Sequence, residues 1–299
     1  AVRAARRVEG PLSSHFGLIQ FELPGGLELP DGRYLARDES GERVLVIETV
    51  GAPPPPRRRR RKPQTSEPGA EPAPLPLARV TAVRAHEPFE SGEQAERWLA
   101  GTLEDEESTD AAIAEALALI NRTLHANAVA AADPLGREVS AEHAATVRIG
   151  HGSGKQVAAG RYEQAREIDV RGGRSQRRRR EEDLRPQERV AAILGGREQL
   201  DACETLLLRA RTDLDAARNR EAALQLRVGL EALLVELDGA LADSGHAEDM
   251  ATLKSRRGEV GEAANEALRG ELNSTNLNSV RELLDICERV LRRRRVLRG

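Results

Sequence analysis

The segment Arg148-Ile149-Gly150-His151-Gly152-Ser153-Gly154-Lys155 carries the residue types and spacing that come closest to chemistry. Glycines that follow a strand can leave successive backbone N–H groups open to a phosphate, with a lysine as counter-charge. Gly150, Gly152, Ser153, Gly154 and Lys155 are therefore the candidate phosphate or nucleotide site. The pattern departs from a P-loop at two places: Ile149 stands where the first glycine belongs, and Gln156 replaces the Ser or Thr that follows the lysine. The simpler reading is a glycine-rich turn with no ligand.

Three arginine clusters form the second candidate. Arg57, Arg58, Arg59, Arg60 and Arg61 precede Lys62; Arg177, Arg178, Arg179 and Arg180 precede Glu181-Glu182-Asp183; and Arg292 to Arg295 lie near the end of the chain. Arginine tracts neutralise phosphates in a salt-sensitive, sequence-independent way, which makes nucleic acid a conceivable partner. Against this, two clusters fall in linker-like stretches where charge keeps a chain solvated, and the third ends a helical pattern where cations complement the dipole. No aromatic residue interleaves with any of them as a base-stacking platform requires.

The remaining reactive types do not assemble. His15, His86, His125, His143, His151 and His246 show no paired helical spacing and no adjacent cysteine pair, so no metal site is expected. Ser153 lacks the Gly-x-Ser-x-Gly frame of a nucleophile elbow, because His151 and Lys155 occupy the flanking positions. No catalytic residue and no cofactor is implied.

Composition points the same way. The 299 residues contain 46 basic and 49 acidic side chains, so the molecule lacks the positive excess of a dedicated nucleic-acid binder. Only Trp98, Tyr34, Tyr162, Phe16, Phe21 and Phe89 are aromatic, leaving Ala, Leu and Val to fill the cores. No apolar run approaches the roughly 20 residues of a membrane span. Ala1 to Arg7 is basic but leads into Glu9 and Pro11 rather than an apolar core, so a cytoplasmic protein is expected.

These candidate residues must be held by elements that the pattern makes legible. Strands are expected at His15–Leu23, Gly32–Arg37, Arg43–Val50 and Leu77–Arg84, the last two as antiparallel neighbours. Residues 1–52 thus read as β-rich and 53–76 as a disordered Pro/Arg-rich loop. Residues 77–170 form an α+β segment packed on the first strands. It has a short helix carrying Trp98 and a long helix capped at Ser108-Thr109-Asp110 that presents Ile113, Leu117, Ile120 and Leu124. A strand from Ala145 to Ile149 then enters the glycine turn. Residues 171–186 read as a charged linker.

From 187 to 299 the spacing is helical throughout. A short helix, Arg189–Leu194, precedes the apolar stripe Leu200, Cys203, Leu207, Ala210, Leu214 and Ala217. The next stripes run Ala223, Leu226, Leu230, Leu233, Leu237, then Met250 to Ala267, then Leu277, Val280, Leu284, Cys287, Leu291. Four stripes joined by short turns predict an antiparallel four-helix bundle, with Cys203 and Cys287 as buried fillers at similar heights on its first and last helices. The first pair of helices is similar to the hairpin of tetratricopeptide-type repeats over about 40 residues, without a second copy at the repeat period.

Asp31-Gly32-Arg33-Tyr34, Val147-Arg148-Ile149-Gly150 and Glu181 to Val190 resemble stretches in an uncharacterised family of proteins from high-GC, actinobacterial-type genomes. The resemblance implies a bacterial source and no particular activity. The sequence is therefore read as an α+β N-terminal module, a small antiparallel sheet plus helices, followed by an all-α antiparallel helical bundle. Its expected role is that of a non-enzymatic scaffold acting on a protein partner, with nucleic-acid association and then phosphate handling as the competing readings.

Overall fold

The computed structural model of the chain describes residues 14–38, 41–51, 76–169, 187–239 and 243–298. The chain divides into two compact units, Ala1–Gly173 and Arg174–Gly299. The expected disordered loop, apart from Pro76, and the charged linker fall outside the described residues, and with them Arg57 to Arg61 and Arg177 to Arg180.

The first unit is built on a six-stranded, wholly antiparallel sheet in the order β2-β3-β4-β1-β5-β6. The strands are β1 His15–Pro24, β2 Gly32–Asp38, β3 Gly41–Val50, β4 Leu77–Val83, β5 Thr146–Ser153 and β6 Gln164–Ile168. β3 and β4 pair as expected, with Val50 opposite Leu77. Alternation sorts the side chains onto two faces. Ile19, Phe21 and Leu23 of β1, Leu45 and Ile47 of β3, Val80 of β4 and Val147 and Ile149 of β5 face two helices, α1 Gly92–Glu104 and α2 Glu106–Ala131. Those helices contribute Leu99, Ile113, Leu119, Ile120 and Leu124 to the same core. α2 begins earlier than the sequence suggests: its N-cap is Asp105, whose carboxylate accepts the Ser108 N–H at 3.0 Å. Trp98 packs against β1 at Gly17, where a Cβ would sit 2.8 Å from the indole, so only glycine admits the ring.

The opposite face is graded. At one end Leu18, Val83 and Val157 form a small apolar cluster under α3, the one-turn helix Gly154–Val157. In the middle, buried Gln20 donates to Thr81 Oγ1 and to the Gly160 carbonyl, both at 2.9 Å. The far end is charged.

The second unit is helical. A short helix, α4 (187–194), precedes α5 Ala202–Asp215, α6 Asn219–Glu236, α7 Ser244–Ser255, α8 Arg257–Ala267 and α9 Ser274–Arg298. α5 and α6 form an antiparallel hairpin turned at Ala217, whose φ of 56° lies in the left-handed region. Cys203, Leu207, Leu226, Leu230, Leu233, Leu253, Val260, Leu283, Leu284 and Cys287 share one core. The stripe from Met250 to Ala267 is two helices joined at Arg256 rather than one, so five helices contribute to this core instead of four. Leu200 is exposed and precedes α5 rather than lying on its buried stripe.

Candidate functional site

The glycine-rich segment is not a turn. Gly150, His151, Gly152 and Ser153 continue β5, paired on one side with β1 and, at Gly150 and His151, on the other with β6. Its glycines answer a packing demand: a Cβ on Gly150 would lie 2.6 Å from the Cβ of Ala165. The N–H of Gly154 donates to the Ser14 carbonyl at 3.1 Å, and the N–H and Oγ of Ser153 both donate to Gln156 Oε1, at 2.8 and 2.9 Å. The donors that a phosphate would use at Ser153 and Gly154 are thus engaged within the fold, and Lys155 points from a four-residue helix as an exposed side chain.

The chemistry-bearing groups that the fold does bring together form a charged row on the sheet face away from α1 and α2. Glu48 of β3, Arg79 of β4, Glu22 of β1, Arg148 of β5 and Glu167 of β6 share one face across five strands, Arg148 standing diagonal to Glu22 because it pairs with Gln20. Arg79 reaches Glu48 at 3.6 Å and Glu22 Oε1 at 3.3 Å; Arg148 reaches the same Glu22 oxygen at 2.9 Å and Glu167 at 3.5 Å. The signs alternate along the row. Burial alone would raise the Glu22 pKa, but hydrogen bonds and charge from Arg148 and Arg79 outweigh it and hold this carboxyl below its ordinary range. The same attraction, against the burial cost, raises the Arg148 pKa.

A second cluster gathers on the helix side. His151 is 3% exposed with neither ring nitrogen hydrogen-bonded, and its ring centroid lies 6.4 Å from that of His15. His15 Nε2 is 3.2 Å from Glu163. No group of three or more His, Cys, Asp or Glu side chains among the described residues is arranged to hold a metal ion. His125 is exposed on α2, and His246 is buried with its Nε2 3.2 Å from the Leu237 carbonyl.

In the second unit the arginines near the C-terminus serve the fold. Arg289 and Arg293 both pair with Asp249 of α7, at 2.9 and 2.5 Å, and Asp249 is nearly buried. Arg294 pairs with Asp201, and Arg295 comes within 4.0 Å of Glu204. Arg211 of α5 holds Glu288 at 2.7 Å and Asp285 at 2.5 Å on α9, which raises the arginine pKa further, the Glu288 hydrogen bond leading. Partly buried pairs of this kind fix which helix faces meet.

No protein-family model, curated protein or solved structure matches the chain. α4 is fastened by charge: Arg189 donates to both oxygens of Glu204 on α5, at 2.9 and 2.7 Å, and to Glu198 at 2.7 Å. None of its residues enters the core shared by α5 to α9. Val190 and Leu194, one turn apart, are 52% and 82% exposed. The sequence pattern marks α4 as a helix but carries no signal for which side of it stays uncovered.

Proposed function

We propose that this chain is a non-enzymatic interaction protein of the cytoplasm, in which α5 to α9 form an antiparallel bundle that presents α4 to a protein partner. The observation that carries this reading is the uncovered pair Val190 and Leu194 on a helix held to its unit through Arg189 rather than through apolar packing. Among the described residues, seven of the exposed large apolar side chains (Val190, Leu194, Leu200, Leu208, Val228, Val235 and Leu268) belong to this unit, against four in the first. Covering apolar surface returns about 25 cal/mol per Å², and an i, i+4 pair on a helix matches a groove on a second protein. No helix among the described residues is long and apolar enough to cross a membrane.

The test places a photo-reactive side chain at position 194 of the full chain in native cells. A discrete protein adduct that survives nuclease treatment and is lost in a Val190→Asp background supports the reading. Adducts that vanish with nuclease would favour the arginine clusters at 57–61 and 177–180 and nucleic acid instead. Adducts unchanged by Val190→Asp would reject α4 as the contact.

A further inference from the structure

The apolar stripe of α4 and the side by which α4 is held do not coincide. Val190, Ile193 and Leu194 follow the i, i+3, i+4 spacing of one helix face. The side turned to the unit is instead that of Arg189, with Ala192 and Ile193 half-buried three and four residues on, while Val190 and Leu194 stay exposed. Only Ile193 belongs to both. Arg189 Nη2 donates to both oxygens of Glu204 in the first turn of α5, and its Nε donates to Glu198, just past the Gly195-Gly196 turn that ends α4.

The physics of this fastening makes it reversible. A helix as short as α4 does not hold in water by itself, so α4 away from α5 is α4 unfolded. The Arg189 and Glu198 side chains are 27% and 39% exposed, so ions reach them and salt weakens their pairing. Glu204 is nearly buried, but Arg295 of α9 lies 4.0 Å from it, so its charge is not left alone when Arg189 departs. The apolar core shared by α5 to α9 does not depend on charge.

We propose that the Arg189–Glu204 pair is a charge latch on the α4 contact: closed, it keeps α4 helical with Val190 and Leu194 one turn apart for the partner; open, it lets α4 unfold and the contact is lost. The proposal rests on the reading of α4 as the contact and adds what regulates it. A partner that needs the formed helix binds with its affinity multiplied by the fraction of chains in which α4 is formed.

Amide hydrogen exchange of the full chain, read by mass spectrometry without any partner, tests the latch. The peptide covering α4 should exchange at least about tenfold faster in about 1 M than in about 0.1 M sodium chloride, because the screening length falls from about 10 Å to about 3 Å. Arg189→Met should act likewise in low salt and leave little for salt to add; Arg189→Lys, which keeps the charge without the fork, should lie between. Peptides from α5 to α9 should stay within about twofold throughout. Exchange of α4 indifferent to salt and to Arg189→Met, or acceleration of α5 to α9 together with α4, would overturn the latch. The photo-reactive side chain at position 194 then reads the regulation: adducts should fall in Arg189→Met in proportion to the unfolding of α4, and undiminished adducts from a chain whose α4 exchanges freely would overturn it. The expected exchange pattern in a native chain that gives no adduct at all would support the latch and reject α4 as the contact.

Discussion

Glu236, the last residue of α6, accepts the backbone N–H of Cys203 through Oε2 at 3.0 Å and that of Ala202 through Oε1 at 3.1 Å. The carboxylate thereby closes the N-terminus of α5, where the local N-cap Asp201 makes no side-chain capping bond. Two otherwise open N–H groups and the positive end of the helix dipole meet one negative charge. Glu236→Ala is expected to cost about 1 kcal/mol, the usual size of a lost cap, and to lower the melting temperature by about 4 °C. Glu236→Gln, which keeps an acceptor oxygen, should lose less. Equal losses in the two variants would show that the negative charge, not a retained acceptor oxygen, carries the contact.

Gly150 makes the opposite kind of prediction, since its importance lies in what is missing. A methyl there would press on β6 at Ala165, so Gly150→Ala should destabilise the first unit by about 2 kcal/mol, in the range of overpacked cores. Gly154→Ala is the control: its Cβ would come no nearer than 3.4 Å to the Phe16 ring and 3.8 Å to the Ser14 carbonyl, and the change should cost far less. Thermal melts of both variants decide the matter, and comparable losses would contradict the packing role assigned to Gly150.

These two residues also show what the amino-acid order does and does not disclose. The strands around Phe21, Val46 and Val80 are legible because alternation and β-branching act within ten residues, but of their pairings only that of the Val46 strand with the Val80 strand is. Gly150 to Ser153 are not, because glycine has little strand preference of its own and is required there by a strand that arrives later in the chain. The break at Arg256 is hidden because the apolar spacing from Leu253 to Val260 continues across it. Nor could the charged row be read in advance: Glu22 meets Arg79 and Arg148 over 57 and 126 residues of separation, and only the strand order makes them neighbours. The arginines near the C-terminus read as one cluster, yet Arg293 points to Asp249 on α7, while Arg294 and Arg295 point to Asp201 and Glu204 at the start of α5.

Glu259 gives the second unit a defined acid sensitivity. The Arg256 hydrogen bond, helped by Ser279, lowers its pKa from 4.5 to about 2. A carboxyl depressed in the folded state stabilises the protein above its unfolded pKa, and the contribution is lost as pH falls through the folded value. The stability advantage of the native chain over Glu259→Gln should therefore be constant above about pH 4.5, shrink below it and vanish near pH 2. Because both partners are partly exposed, the plateau should be about 1 kcal/mol or less and fall further in molar salt. Melting temperatures of both proteins across pH 6 to 2 check this; an advantage that persists unchanged in acid would exclude the ion pair as its source.

Cys203 on α5 and Cys287 on α9 are unbridged thiols, both fully buried within the core that their helices share. Burial disfavours the thiolate and pushes the Cys287 pKa up to about 12, with the Glu288 charge adding to it. Cys203 is raised as well, first by burial and then by the neighbouring Glu236 carboxylate that caps its helix. Alkylation requires the thiolate and access, and neither is present at neutral pH. Both cysteines are therefore expected to resist iodoacetamide at pH 8 in the native protein and to react together on unfolding in denaturant. Glu236→Gln separates the two influences: it removes the charge beside Cys203 but leaves the core closed, so labelling should stay slow if burial dominates. Mass-spectrometric detection of rapid native labelling at either position would show that this core opens far more readily than its packing implies.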